Sequence, residues 1–274
     1  MRLRIDSKAK LNNGVEMPWL GLGVWQLSSK ETMTCVEHAL RFGYRHIDTA
    51  TLYGNESEVG LGVRKSGIPR EEVFVTTKLW NSDHGRDRSV RAFEESLKEL
   101  GLGYIDLYLI HWPVEKDRTE SWNALLKALE AGRTKALGVS NYTVRHLEEL
   151  LSGSSVVPAV NQVEFHPYLY QKELLEYCRK KGIQLEAYSP LMKGKRLDDF
   201  SFVEMAGRYK RSVPQILIRW CLQHGVVVIP KSSHKKRIEE NGSVFDFNIS
   251  AKDMDYLDSL HEDYRSTWDP SNVP

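Results

Sequence analysis

The feature that most constrains the fold is an alternation of short apolar runs with amphipathic helical patterns, which occurs eight times along the 274 residues. Strands that alternate with helices favour a parallel sheet with right-handed crossovers. Eight such units in about 250 residues predict an α/β fold, a closed (β/α)8 TIM barrel rather than an open doubly wound sheet. The predicted strands are Leu20–Gly23, Arg45–Asp48, Val73–Lys78, Ile105–His111, Ala136–Ser140, Ala159–Val163, Gln184–Ala187 and Gly225–Ile229.

Helical patterns follow each of these runs, and two follow the seventh. The predicted helices are Glu31–Phe42, Glu56–Lys65, Arg88–Leu100, Ser121–Ala131, Val144–Leu151, Lys172–Lys181, Phe202–Tyr209, Pro214–Gln223 and Lys235–Asn241. An extra C-terminal helix, Ala251–Leu260, precedes a polar tail. Near the start, Asn12-Asn13-Gly14 lies between Lys8–Leu11 and Val15–Met17 and predicts an N-terminal β-hairpin. We expect the hairpin to cover the N-terminal end of the barrel, and residues 1–274 to form a single domain.

Charge and composition narrow the class of partner and the compartment. With 38 basic and 37 acidic residues the formal net charge is +1, which gives no general attraction to nucleic acid or to an anionic membrane. No apolar stretch approaches the roughly 18 residues of a membrane span, and MRLRIDSKAK lacks the apolar core of a secretory signal. Three widely spaced cysteines predict free thiols in a reducing compartment. We therefore expect a cytoplasmic monomer with a small-molecule partner and no metal.

Functional residues of such a barrel project from the C-terminal ends of its strands, where this sequence places polar groups after apolar strand middles. Asp48, Lys78 and His111 end consecutive strands, and Tyr53 follows Asp48 in a short loop. A lysine at the end of a buried strand needs a partner, which Asp48 can supply. The ammonium is expected to lower the pKa of Tyr53, so that the phenol can act as a general acid, with His111 orienting a substrate carbonyl.

A structural explanation of the same four residues is a buried ion pair with a tyrosine and a histidine packed around it. Their clustering at adjacent strand ends favours the catalytic interpretation. The glycine pairs Gly21-x-Gly23 and Gly60-x-Gly62 do not complete the dinucleotide-binding fingerprint. They predict a tight turn and close helix packing, respectively.

Nine ordered motifs make the chain resemble the aldo-keto reductases over essentially its whole length, and in particular short-loop members such as the diketogluconate, prostaglandin F synthase-like and glyoxal reductase group. The motifs are Gly21–Trp25, Gly43–Ala50, Tyr53–Glu56, Thr77–Trp80, Asp106–Pro113, Gly138–Asn141, Asn161–Glu164, Tyr188–Leu191 and Ile229–Ser232. The resemblance implies the (β/α)8 barrel already predicted. It also implies that Asp48, Tyr53, Lys78 and His111 form a catalytic tetrad.

The resemblance further implies NADPH as the cofactor, bound in an extended conformation across the barrel mouth. The cofactor-binding positions it implies are Trp25, Asp48, Ser140, Asn141, Gln162, Tyr188, Ser189, Leu191, Lys231, Ser232, Ser233, Arg237, Glu240 and Asn241. Among these, Ser140, Asn141 and Gln162 correspond to the carboxamide site, Tyr188 to the residue that stacks on the nicotinamide, and Lys231 with Arg237 to the 2′-phosphate site. The substrate-binding positions it implies are Trp25, Leu52, Trp80, His111 and Trp112.

Short segments after His111 and after Leu260 predict an open site for small aldehydes, α-dicarbonyls and keto-sugars. One alternative is a non-catalytic barrel that keeps the cofactor site and serves as a regulatory or structural protein. Another is a Schiff-base lyase using Lys78, although Asp48 is expected to keep that lysine charged and poorly nucleophilic. A metal-dependent hydrolase is disfavoured, because no His-x-His pair or carboxylate cluster falls at the predicted strand ends.

Overall fold

A computed structural model describes residues 3–274 and shows the predicted (β/α)8 barrel. Eight parallel strands lie side by side in chain order. Parallel bridges from Leu20 to Val228 and from Gly23 to Lys231 join the two ends of the sheet, so the barrel is closed. The strands in residues 3–274 are β1 (Lys8–Lys10), β2 (Glu16–Pro18), β3 (Leu22–Gly23), β4 (His46–Asp48), β5 (Phe74–Leu79), β6 (Ile105–Ile110), β7 (Thr134–Ser140), β8 (Val160–Glu164), β9 (Gln184–Tyr188) and β10 (Val227–Val228).

Every predicted helix is present, with ends that differ by no more than a turn. In the described residues the helices are α1 (Ser29–Phe42), α2 (Glu56–Ser66), α3 (Arg86–Leu100), α4 (Arg118–Glu130), α5 (Val144–Gly153), α6 (Lys172–Lys181), α7 (Phe200–Tyr209), α8 (Val213–Gln223), α9 (Lys235–Gly242) and α10 (Ala251–Asp258). Ser28 caps α1 by accepting from the Glu31 amide, and Gly43 ends the helix at a φ of 127°. The positive φ of Gly43 turns the backbone at the end of α1, and the chain then continues into β4.

Strands β1 and β2 form the expected antiparallel hairpin. Its turn contains Gly14 at a φ of 87°, a conformation that glycine adopts without the steric cost of a side chain. Ala9 and Met17 of the hairpin pack with Phe74 and Leu107 of the barrel strands in one buried apolar cluster. The hairpin therefore closes the N-terminal end of the barrel and leaves the opposite end open.

The glycine pairs have packing roles. A Cβ on Gly60 would lie 1.9 Å from the Leu100 carbonyl oxygen, so α2 and α3 can approach only because this residue has no side chain. This confirms the helix-packing interpretation of Gly60. The predicted tight turn at the other pair is wrong, because Gly23 lies in β3. Gly21 makes room for the imidazole of His46, whose Nδ1 would lie 2.6 Å from a Cβ at that position.

The barrel interior is more polar than predicted. His46, Thr76 and Glu186 lie on β4, β5 and β9, and all three are fully buried. The expectation of apolar strand middles is therefore wrong at these positions. Between residues 3 and 274, no helix is long and apolar enough to cross a membrane. All three cysteines are buried free thiols, as predicted.

Candidate active site

A cavity of about 830 Å³ opens at the C-terminal ends of the barrel strands. This size suits a bound cofactor together with a small ligand. Two of the predicted site residues do not line it: Lys78 and Ser140 lie buried behind the wall. The predicted residues that do line it are Trp25, Asp48, Leu52, Tyr53, Trp80, His111, Trp112, Asn141, Gln162, Tyr188, Ser189, Leu191, Lys231, Ser232, Ser233, Arg237, Glu240 and Asn241.

Asp48 lies at the floor of the cavity, and Lys78 is buried beneath it. The Nζ of Lys78 donates to Oδ1 of Asp48 and to the Thr49 carbonyl oxygen, at 2.7 Å in each case. Neither side chain is more than 3% exposed. The predicted ion pair is thus present, and Asp48 compensates the buried positive charge.

Tyr53 lies directly above this pair, and its ring centre is 5.2 Å from the Lys78 Nζ. Burial is the main reason why the pKa of Tyr53 is raised well above its ordinary value, and the carboxyls of Asp48 and Glu186 raise it further. The prediction that Lys78 lowers this pKa is therefore wrong. The physical reason is that burial disfavours the charged phenolate, and Asp48 already neutralises the ammonium, so Lys78 does not offset the effect of burial.

His111 packs edge-on against Tyr53, with a centroid distance of 5.9 Å, and against Trp80, with a centroid distance of 5.2 Å. Burial is the main reason why the pKa of His111 lies well below its ordinary value, and the positive charge of Lys78 lowers it further. The imidazole is therefore neutral and can donate one hydrogen bond into the cavity. Asn141 supports this segment by donating from Nδ2 to the His111 carbonyl oxygen at 3.0 Å.

The opposite wall consists of polar groups that are already bound to one another. Tyr188 donates its hydroxyl to Oδ1 of Asn141 at 2.8 Å. The hydroxyl of Ser140 donates to the backbone carbonyl oxygen of Gln162 at 2.8 Å, which explains why the Ser140 side chain is turned away from the cavity. Gln162 itself donates through Nε2 to Oδ2 of Asp48 at 2.8 Å and therefore links this wall to the floor.

Cationic and hydroxyl groups gather at the far end of the cavity, around the start of α9. Lys231, Ser232, Ser233 and Arg237 all line this end. The N-terminal amides of a helix add to the attraction that lysine and arginine side chains exert on an anion. The donor set therefore fits a phosphate group.

The chain after α10 contributes a part of the site that the sequence did not reveal. Glu164 accepts hydrogen bonds from the amides of Ser266 and Thr267, at 2.8 and 3.1 Å, and also from both hydroxyls. This anchor brings Trp268 to the cavity mouth, where its ring centre lies 5.7 Å from that of Trp112. No periodicity in residues 261–274 predicts this path, since it depends on a contact with a distant strand.

Lys193 closes another side of the mouth from the loop after β9. Its Nζ lies over the Trp25 ring, 4.8 Å from the centroid. Trp25, Leu52 and Trp268 are 37%, 47% and 69% exposed, so the mouth presents an apolar surface to solvent. No group of three or more metal-ligating side chains is found in the part of the chain that the structure describes.

Comparisons with known proteins agree with this geometry. Residues 19–262 match the model of the Aldo/keto reductase family. Glyoxal reductase of Bacillus subtilis is 50% identical, with coverage of 100% of this chain and 99% of that protein. The 9,11-endoperoxide prostaglandin H2 reductase of Trypanosoma cruzi is 48% identical, with coverage of 96% and 94%.

A solved structure adds information about the cofactor of a relative. The aldo-keto reductase of Bombyx mori, determined in complex with NADP, superimposes with a TM-score of 0.90 at 36% identity. The match covers 97% of this chain and 95% of that one. The likeness therefore extends over the whole barrel and includes the face that carries the cavity.

Proposed function

The chain belongs to the aldo/keto reductase family, and from that premise we propose that it reduces small aldehydes and α-dicarbonyls with NADPH, using Tyr53 as the proton donor. The family consists of oxidoreductases that use a nicotinamide cofactor. The observation that carries the proposal is the placement of Tyr53 and His111 over the buried Asp48–Lys78 pair, at the floor of one continuous cavity.

The residues of the cavity fit NADPH in an extended conformation. Lys231 and Arg237 would hold the 2′-phosphate through charge-assisted hydrogen bonds, with Ser232 and Ser233 as further donors. Tyr188 provides an aromatic face beside Asn141, where the nicotinamide and its carboxamide would lie. NADPH supplies a hydride when bound there. The presence of NADP in the Bombyx mori relative supports this assignment.

The protein's own groups then have distinct roles. The neutral imidazole of His111 donates a hydrogen bond that holds the carbonyl oxygen beside Tyr53. Tyr53 stays protonated over the physiological range because of its raised pKa, and it transfers its proton to the oxygen as negative charge develops there. The buried pair of Lys78 and Asp48 supports this arrangement from beneath the cavity floor.

The aromatic mouth supports a small, largely apolar carbonyl substrate. Trp25, Trp80, Trp112 and Leu52 line the space in front of Tyr53. The name of the glyoxal reductase relative supports α-dicarbonyls as one substrate class. A Schiff-base reaction at Lys78 is disfavoured, because its ammonium is fully buried and bound by two acceptors.

The proposal is tested by monitoring NADPH oxidation with the purified protein and a panel of aldehydes, α-dicarbonyls, quinones and keto-sugars. Turnover with small aldehydes and α-dicarbonyls is expected to exceed turnover with bulky ketones. Strong selectivity for one bulky substrate would overturn the assigned substrate class. Tight NADPH binding without turnover of any carbonyl would instead favour a non-catalytic barrel.

A further inference from the structure

A second buried carboxyl lies close to the catalytic floor and has no counterpart in the predicted tetrad. Glu186, in the middle of β9, is fully buried. Its Oε2 accepts a hydrogen bond from Nε2 of Gln162 at 2.8 Å. The same Nε2 donates to Oδ2 of Asp48, also at 2.8 Å. One amide group therefore bridges two carboxyls that come from β4 and β9.

The charges around this bridge do not balance if both carboxyls are ionised. Asp48 has the ammonium of Lys78 in contact, whereas Glu186 has no lysine or arginine in contact among the described residues. The nearest ring nitrogen is Nε2 of His46, 3.7 Å from Oε1 of Glu186. Burial, and to a smaller extent the positive charge of Lys78, lowers the pKa of His46 to about 3, so this imidazole is neutral. A second buried anion would therefore lack compensation.

The hydrogen bonds of Glu186 also favour a neutral carboxylic acid. Within residues 3–274, its Oε1 has no hydrogen-bond partner. An unpartnered oxygen costs more free energy when it carries negative charge than when it carries the proton of a carboxylic acid. Burial, and to a smaller extent the negative charge of Asp48, raises the pKa of Glu186 to about 8. The neutral acid is thus the form present at neutral pH.

The bridge also fixes the direction of the Gln162 side chain. The carboxylate oxygen of Asp48 can only accept a hydrogen bond, so it requires the amide nitrogen rather than the amide oxygen, and Glu186 accepts from the same nitrogen through Oε2. With Nε2 committed to Asp48 and Glu186, the group that Gln162 can offer to the cavity is its carbonyl oxygen. An acceptor at this place suits the amino group of a nicotinamide carboxamide.

We propose that Glu186 is a positioning residue which, as a neutral carboxylic acid, orients the Gln162 amide so that its oxygen faces the nicotinamide carboxamide. The inference rests on the proposed function, since it assumes a nicotinamide in this cavity. Glu186 has no chemical step of its own, because it does not line the cavity.

A consequence concerns pH and the redox state of the cofactor. When Glu186 ionises, a negative charge appears near the nicotinamide site, and it favours the positively charged ring of NADP⁺ over the neutral ring of NADPH. Three other titratable groups face Glu186, namely Asp48, His46 and Tyr53. The carboxylate of Asp48 is already paired with Lys78. The pKa of His46 lies below, and that of Tyr53 above, the window around pH 8. From β10, the apolar Val227 lies beside Glu186 and adds no charge.

The test compares Glu186→Gln, a neutral isostere, with Glu186→Leu, which removes the acceptor. Dissociation constants for NADPH and NADP⁺ would be measured by fluorescence titration of each purified, folded variant. Glu186→Gln is expected to bind NADPH within about twofold of wild type, and Glu186→Leu about tenfold more weakly. Equal weakening by the two variants would show that the charge of Glu186 is needed, and wild-type binding by Glu186→Leu would show that it orients nothing; either result overturns the proposal.

The pH arm decides the question even if Glu186→Leu does not fold. In the wild type, the preference for NADP⁺ over NADPH should rise by about tenfold between pH 7 and pH 9, and in Glu186→Gln it should stay constant. A rise that persists in Glu186→Gln overturns the proposal. Wild-type protein that binds neither cofactor would overturn the proposed function as well, whereas normal binding with a flat wild-type profile would overturn only this inference.

Discussion

The ammonium of Lys78 and the carboxylate of Asp48 form an ion pair 2.7 Å long beneath the floor of the cavity, and both side chains are almost completely buried. Removing one member leaves the other as an uncompensated charge in the barrel interior. Lys78→Met is therefore expected to lower the free energy of unfolding by about 3–5 kcal/mol. The double variant Asp48→Asn with Lys78→Met should lose less. Urea denaturation measures both, and a double variant less stable than the single one would contradict this reasoning.

Glu164 predicts a pH dependence of stability. Burial alone would raise its pKa, but hydrogen bonds from His166, Ser266 and Thr267 lower it to about 2. Because the folded pKa is depressed, this carboxylate stabilises the fold at pH values above its unfolded pKa of about 4.3, by about 3 kcal/mol, and that contribution is lost as the pH falls towards 2. Thermal unfolding between pH 6 and pH 2 measures the loss.

Glu164→Gln should flatten this part of the profile, while Glu173→Gln, at an exposed position on α6, should leave it as in the wild type. If Glu164→Gln kept the full pH dependence, the anchor between Glu164 and the C-terminal segment would not be its source.

Arg237 predicts the choice between NADPH and NADH. Arg237→Ala removes one of the two cations that line the proposed phosphate end, so the KM for NADPH should rise by about tenfold or more, with little change for NADH. Lys236→Ala is a matched control, because Lys236 is the exposed neighbour on α9 and does not line the cavity. Equal effects of the two substitutions on NADPH would mean that general charge, and not a specific contact, controls binding.

Trp268 predicts how the C-terminal segment shapes the mouth. Trp268→Ala removes the ring that packs on Trp112, and the KM for aromatic aldehydes should rise severalfold while that for glyoxal changes little. Phe200→Ala is the control, since Phe200 is 77% exposed and does not line the cavity. A similar KM change for both substrate classes would show that Trp268 supports the fold of the segment instead of contacting substrate.

The periodicity of the sequence was sufficient to predict the barrel and the rim on which the site lies. Parallel strands place their C-terminal residues at one edge, so Asp48, Lys78 and His111 could be brought together without coordinates. The charge environment of Tyr53 could not be predicted in this way. The pKa of Tyr53 depends first on burial inside the closed barrel, and then on the carboxyls of Asp48 and Glu186.

Glu186 was missed because a glutamate within a short strand is as readily assigned to the surface as to the interior. Only the closure of the barrel decides that it faces Gln162 and Asp48. The path of Ser266–Trp268 was missed for a related reason. It is fixed by hydrogen bonds to Glu164, about a hundred residues away, and no local pattern encodes such a contact.

The most direct test of the proposed function is the steady-state rate of NADPH oxidation by Tyr53→Phe with methylglyoxal, alongside its dissociation constant for NADPH. The substitution removes only the hydroxyl, so the dissociation constant should stay within about twofold of wild type. The kcat should fall by about a hundredfold or more, because the general acid is lost. A kcat close to that of the wild type, with NADPH binding intact, would show that Tyr53 is not the proton donor.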